Sequence, residues 1–136
     1  MAVTLNPYVS FDGNAREALE FYHSVFGGEL NTSTFGEFGQ GEGSEAGKLM
    51  HGQLTADGLT LMAADTPNGV EYQRPAGFSI SLSGDDDATL RGYWQGLSEG
   101  ATIVEPLEIA PWGDAFGILV DRFGVGWMVN IAGAAA

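Results

Sequence analysis

Cysteine is absent from the 136 residues, which excludes disulfides, thiol catalysis and a cysteine-ligated metal site. Basic residues are scarce: five Lys and Arg stand against 18 Asp and Glu, for a net charge of -13 at pH 7. So few cations leave little to neutralise phosphates, so neither nucleic acid nor an anionic membrane surface is an expected partner. No apolar run approaches the roughly 18–20 residues that span a bilayer. The chain does not open on a basic segment followed by an apolar one, so a cytoplasmic protein is expected. Also missing are a Gly-x-Gly-x-x-Gly in strand–helix context, a phosphate loop and a nucleophile elbow.

What is present is an ordinary globular composition, with 44% hydrophobic and 17% charged residues. The length fits one domain able to bury a core, so residues 1–136 are expected to form a single domain. The 21 glycines are spread between periodic segments, a distribution that predicts many tight connections between short strands.

The chain also repeats itself. Tyr8-Val9-Ser10-Phe11-Asp12-Gly13-Asn14 runs into a helical stretch with Leu19, Tyr22 and Phe26. Ser79-Ile80-Ser81-Leu82-Ser83-Gly84-Asp85 runs into another with Leu90, Tyr93 and Leu97, seventy-one residues further on. The stretch from Gly52 to Met62 is echoed from Gly117 to Met128, with one extra residue in the turn. Such a repeat predicts two copies of one module, with chemistry where the copies face each other.

Within the first copy, alternation over residues 3–11 predicts a strand that ends at Asp12-Gly13-Asn14. Asn14 as N-cap with Glu17 three residues on forms a capping-box pattern, and Gly27-Gly28 stops the helix. Strands follow at 29–35, 48–55 and 59–64, the last two joined through the hairpin signal Ala56-Asp57-Gly58. Residues 36–47, rich in Gly and Glu, read as an exposed loop whose Glu37, Glu42 and Glu45 form a solvated lid or a disordered segment. The second copy has strands at 78–83, 102–109, 115–120 and 126–132 and a helix over 86–97, led by Asp85-Asp86-Asp87 as caps. The tail from Gly133 is expected to fray. Each copy reads strand, helix, strand, strand, strand, so the class is α+β: module 1 at about 3–65, a linker at about 66–76, module 2 at about 77–132.

These copies, with Pro7-Tyr8-Val9-Ser10-Phe11-Asp12-Gly13-Asn14-Ala15, Glu20-Phe21-Tyr22, Phe26-Gly27-Gly28-Glu29 and the closing Asp121-Arg122-Phe123-Gly124-Val125-Gly126-Trp127-Met128-Val129-Asn130, resemble one family. It is the PhnB-like branch of the vicinal oxygen chelate superfamily, which includes glyoxalase I, extradiol dioxygenases and bleomycin-resistance proteins. The resemblance covers residues 5–131 and implies tandem βαβββ modules whose curled mixed sheets hold a cup-shaped cavity. It further implies a homodimer. Because the superfamily holds both metal enzymes and metal-free binders, it names no activity.

Metal-dependent relatives place His or Glu on the first and last strands of each module, and those positions here fall on Tyr8, Met62, Ser79 and Met128. None is a good donor for zinc, nickel, iron or manganese. No cofactor is therefore expected, and His51 is the only candidate for a divalent ion. His51 reads either as a base facing the cup or as a structural strand histidine, since a working histidine needs an orienting partner. Glu108 or Asp114 would serve as a base if desolvated, against the commoner reading of surface charge. Trp112 and Phe116 read as pocket lining or as a core lid; the resemblance favours the pocket. Tyr8, Ser10, Ser79 and Ser81 supply hydroxyls at inward positions, and Asn130 is polar beside Met128. His23 reads as part of a solvated helix face. The expected function is small-molecule binding without the usual metal. The alternatives are a lyase, isomerase or transferase built on His51 and Glu108, and a structural dimer with a vestigial cup.

Overall fold

Burial alternates residue by residue along Tyr8–Phe11, Ala115–Val120 and Gly126–Ile131 in the structure, a computed structural model that describes residues 3–39 and 43–134. Glu42, and the tail residues Ala135 and Ala136, lie outside the described residues. The chain divides into two compact units, residues 1–74 and 75–136. Unit 1 runs β1 (Tyr8–Phe11), α1 (Ala15–Phe26), β2 (Glu29–Thr34), β3 (Leu49–Ala56) and β4 (Leu59–Asp65). Unit 2 runs β5 (Ile80–Gly84), α2 (Asp87–Ser98), β6 (Thr102–Ile109), β7 (Ala115–Val120) and β8 (Gly126–Ile131).

The two sheets have the same order, β1-β4-β3-β2 and β5-β8-β7-β6, with the first strand parallel to the last and the rest antiparallel. The duplication read from the sequence is thus a duplicated βαβββ topology. In unit 1, Val9, Phe11, Leu54, Leu61 and Ala63 are buried on the face that meets Ala18, Leu19 and Tyr22 of α1. Each fully buried Leu or Phe of this layer contributes about 1.5–3 kcal/mol by leaving water. In unit 2 the equivalent layer holds Ala115, Val129 and Ile131 against Leu90, with Trp94 and Tyr93 packed on it.

The repeated glycines have a shared physical reason. A Cβ at Gly52 would stand 2.3 Å from Leu19 Cδ1, and one at Gly117 would stand 2.7 Å from Trp94 Cη2. At each, a helix side chain presses directly onto sheet backbone, which only a residue without a Cβ permits.

Several boundaries depart from the sequence reading. Strand pairing in β1 begins at Tyr8 and not at residue 3, since Pro7 has no N–H to donate to a ladder. Asn14 makes no side-chain cap on α1; the Ala15 N–H instead donates to Asp65 Oδ1 at 2.9 Å. Asp86 does cap α2, accepting from Thr89 N–H at 3.2 Å. His23 is exposed as expected, yet its Nε2 is hydrogen-bonded to the Gly28 carbonyl at 3.0 Å beyond the helix end. The described parts of the acidic loop carry structure, with 3-10 turns at Gly36–Phe38 and Gly43–Glu45. Glu37 accepts from Thr34 N–H at 3.2 Å, and Glu45 accepts from Asn68 N–H.

Candidate functional site

Because side chains alternate across a strand, the residues opposite the helix layer form a second, open face on each sheet. In unit 1, one row across that face is Tyr8, Met62, Gln53 and Asn31, each opposite the next. Ser10 lies opposite Ala64, and His51 opposite Ser33. The Tyr8 hydroxyl lies 3.0 Å from His51 Nδ1, with the ring centroids 5.6 Å apart. The roles follow the tautomer: with the proton on Nε2 the phenol donates to the ring, and with it on Nδ1 the ring donates to the phenol. The orienting partner that sequence reasoning found missing for His51 is therefore Tyr8.

Tyr8 is 52% exposed, and the partial desolvation of its ring raises the phenol above its ordinary value. A group raised in the folded chain contributes stability that is present below the unfolded value and lost as pH rises through the folded one. Tyr8→Phe is expected to lessen the fall in stability above about pH 10, read by urea unfolding across the alkaline range. An unchanged slope would refute the burial effect.

In unit 2, Glu108, Phe116, Asn130 and Ser83 form one row across the open face, and Glu105, Ile118, Met128 and Ser81 form the next. Here the sequence reading needs a correction. The repeat offset set Ser79 beside Met128, but β5 begins at Ile80 and its register, shifted by two, pairs Ser81 with Met128. Ser79 precedes the strand and sits against Gly126. A slip of two keeps the same face towards the same side, so the hydroxyl lining survives with a different serine at its centre.

Trp112 lies in the turn before β7, is 62% exposed, and meets the edge of Phe116 at 5.6 Å between centroids. It is no core lid. Glu108 is exposed, so the desolvation required of a base is not found there. Asp114 is corrected more firmly. Hydrogen bonds from Asn130 Nδ2 at 3.0 Å and Gly133 N–H hold its carboxyl below the usual range, against the rise a general base would need. Asn130 is thereby committed to its neighbour.

The donor set does not suit a divalent metal. The four positions that the resemblance marks for ligands hold a phenol, two thioethers and a serine, and among the described residues no three His, Asp or Glu converge. His51 has one ring nitrogen engaged by Tyr8.

The residues that sequence reasoning missed are Gln53, Asn31 and Ser33, which share the open face of unit 1 with His51. Gln53 stands two residues from His51, so strand alternation alone would have found it. A cavity of about 490 Å³ in unit 1 was also missed; it is lined by Ser10, Phe35, Met50, Ala64, Asp65, Thr66, Pro67, Val70, Glu71 and Gln73. Met50 enters it because the β2–β3 ladder is irregular there: Ser33 pairs with His51 and Thr34 with Leu49, leaving Met50 unpaired.

With this geometry in view, comparison with known proteins places the chain. The family model described as 3-demethylubiquinone-9 3-methyltransferase matches residues 4–130. Protein PA1353 from Pseudomonas aeruginosa superposes with a TM-score of 0.87 at 37% identity, over 96% of this chain and 98% of that one. A structure from Bacillus cereus described as a putative 3-demethylubiquinone-9 3-methyltransferase, PhnB protein, gives 0.76 at 25% identity, covering 96% of this chain and 100% of that one. A glyoxylase/bleomycin resistance protein/dioxygenase domain from Frankia sp. gives 0.65 at 14%, over 96% of this chain and 92% of its own, which shows the fold alone. The matched model, the two relatives and the duplicated βαβββ topology agree: the chain belongs to the PhnB-like family of the vicinal oxygen chelate superfamily, whose model carries the 3-demethylubiquinone-9 3-methyltransferase description.

Proposed function

We propose that this chain binds a small organic molecule against the open faces of its sheets, without a metal of the family type. The observation that carries the reading is the Tyr8–His51 hydrogen bond on the open face of unit 1, beside Met62, Gln53 and Ser10. Tyr8 and Ser10 are exposed, and His51, Gln53 and Met62 are half-buried and lie outside the buried core, which leaves them surface to offer a ligand. Ser81, Met128 and Phe116 offer the same mixture of hydroxyl, thioether and aromatic surface in unit 2, with Trp112 at its rim. Apolar surface with a few placed polar groups is the usual make-up of a small-molecule site. We further propose that the two modules act as one domain, in a cytoplasmic homodimer. The methyl transfer named in the family description gains no specific support from these faces.

A thermal-shift screen of neutral, cationic and anionic organic molecules tests the reading. Hits are expected to raise the melting temperature and to lose most of that rise in His51→Ala or Trp112→Ala. Trp112 is largely exposed, so its removal leaves the fold intact. Hits that respond to neither variant would refute binding on the open faces.

A second reading rests on the same hydrogen bond. A histidine oriented by a phenol is equipped to move a proton at neutral pH. Deuterium wash-in at an acidic C–H of a bound hit, lost in His51→Gln, would add proton transfer to binding. Equal exchange with and without protein would remove it.

A further inference from the structure

The cavity of unit 1 has a chemical bias that the open face as a whole does not reveal. Its apolar wall is Phe35, Met50, Ala64, Pro67 and Val70. Its polar groups are unequal in their freedom. Asp65 is buried at 4% exposure, and its oxygens accept from Ala15 N–H and Leu49 N–H, both at 2.9 Å. The Thr66 hydroxyl donates to the Phe11 carbonyl at 3.0 Å. Ser10, Glu71 and Gln73 make no side-chain hydrogen bond or ion pair among the described residues. Three uncommitted acceptors therefore border one apolar space: a hydroxyl oxygen, a carboxylate and an amide oxygen.

None of the basic side chains belongs to the cavity lining, although the Lys48 ammonium borders it at the Thr66 carbonyl. Lys48 does not line the cavity, and its ammonium is held by Asn68 Oδ1 at 2.8 Å and the Thr66 carbonyl at 3.3 Å. Arg16 reaches Thr32, Arg91 pairs with Asp87 at 2.9 Å, Arg122 stands over Phe123, and Arg74 lies in the exposed segment after the cavity residues. These five are all the Lys and Arg in the chain. An anion entering the cavity would meet the charges of Asp65 and Glu71 with no basic side chain in the lining to answer it. An ammonium would meet a free carboxylate, two neutral acceptors and the Phe35 ring.

We propose that this cavity recognises a primary amine carrying an apolar or aromatic body, the ammonium towards Glu71, Ser10 and Gln73 and the body against Phe35, Met50 and Val70. Ser10 and Ala64 belong to the open face, so the inference names a ligand class for part of that face and rests on the small-molecule reading. It is separable by experiment, because it concerns residues 10–73 only and a defined set of probes.

Three probes of one size distinguish it: phenethylamine, phenethyl alcohol and hydrocinnamate, titrated onto the full chain and followed by the methyl resonances of Met50 and Ala64. Phenethylamine is expected to bind about tenfold more tightly than the alcohol, with hydrocinnamate weakest, and its affinity to fall with added salt. Glu71→Gln is expected to remove that advantage and leave the alcohol unchanged. Glu71 is exposed, so the variant should fold as the parent does. Equal binding of amine and alcohol, tighter binding of hydrocinnamate, an unaltered amine affinity in Glu71→Gln, or no binding by any probe would each overturn the proposal. None of these touches the wider reading, which falls only if the screen hits ignore His51 and Trp112.

Discussion

Asp121→Ala is expected to destabilise the protein by about 3–5 kcal/mol, the sum of three donors losing a buried carboxylate. Asp121 is 4% exposed. Its Oδ1 accepts from Phe123 N–H at 2.8 Å and Val125 N–H at 3.1 Å, and its Oδ2 accepts from Trp127 Nε1 at 2.8 Å. The side chain thus closes the β7–β8 turn from within and orients the largest buried side chain of the unit. Each donor left without a partner costs roughly 1–3 kcal/mol, less where water can reach it. Urea unfolding by tryptophan fluorescence would measure the loss, and Asp121→Asn, which keeps one acceptor oxygen, should lose about half as much. A change below about 1 kcal/mol in the alanine variant would refute this account.

Asp65→Ala is the second large effect, at about 2–4 kcal/mol. Its two oxygens join the first turn of α1 to the start of β3, through Ala15 N–H and Leu49 N–H, both at 2.9 Å. Unlike Asn14, which adjoins the helix in sequence, Asp65 reaches it from fifty residues away, and α1 depends on the sheet for its cap. Amide hydrogen exchange should accelerate first at Ala15 and Leu49 in this variant, before the sheet centre. Uniform acceleration throughout unit 1 would mean that the carboxylate serves global stability and not this junction.

These two carboxylates show where the sequence was legible and where it was not. The elements, their order and the duplication follow from alternation, helical spacing and glycine stops, all local signals that this chain carries clearly. The family phrase Asp121-Arg122-Phe123-Gly124-Val125-Gly126-Trp127 was legible as a family mark, while its physical meaning, a carboxylate tied to a turn and an indole, was not. Asp65 read as no more than the last residue of module 1, because a cap supplied from another strand leaves no local pattern. Tyr8 and His51 lie 43 residues apart and meet only because β1 joins the sheet beside β4. The cavity was hidden for a similar reason. Met50 enters it through a bulge, an irregularity of pairing that no periodicity in β3 announces.

The slip of β5 along β8 bears on how duplicated halves diverge. Sliding a strand by one residue would turn its buried set to water, and such a variant would be lost. Sliding by two keeps the buried set inside but changes which side chains are neighbours across the sheet, here exchanging Ser79 for Ser81 beside Met128. A gene duplication can therefore explore new side-chain combinations on its exposed surface by even-numbered shifts in register, before any residue on that surface is replaced.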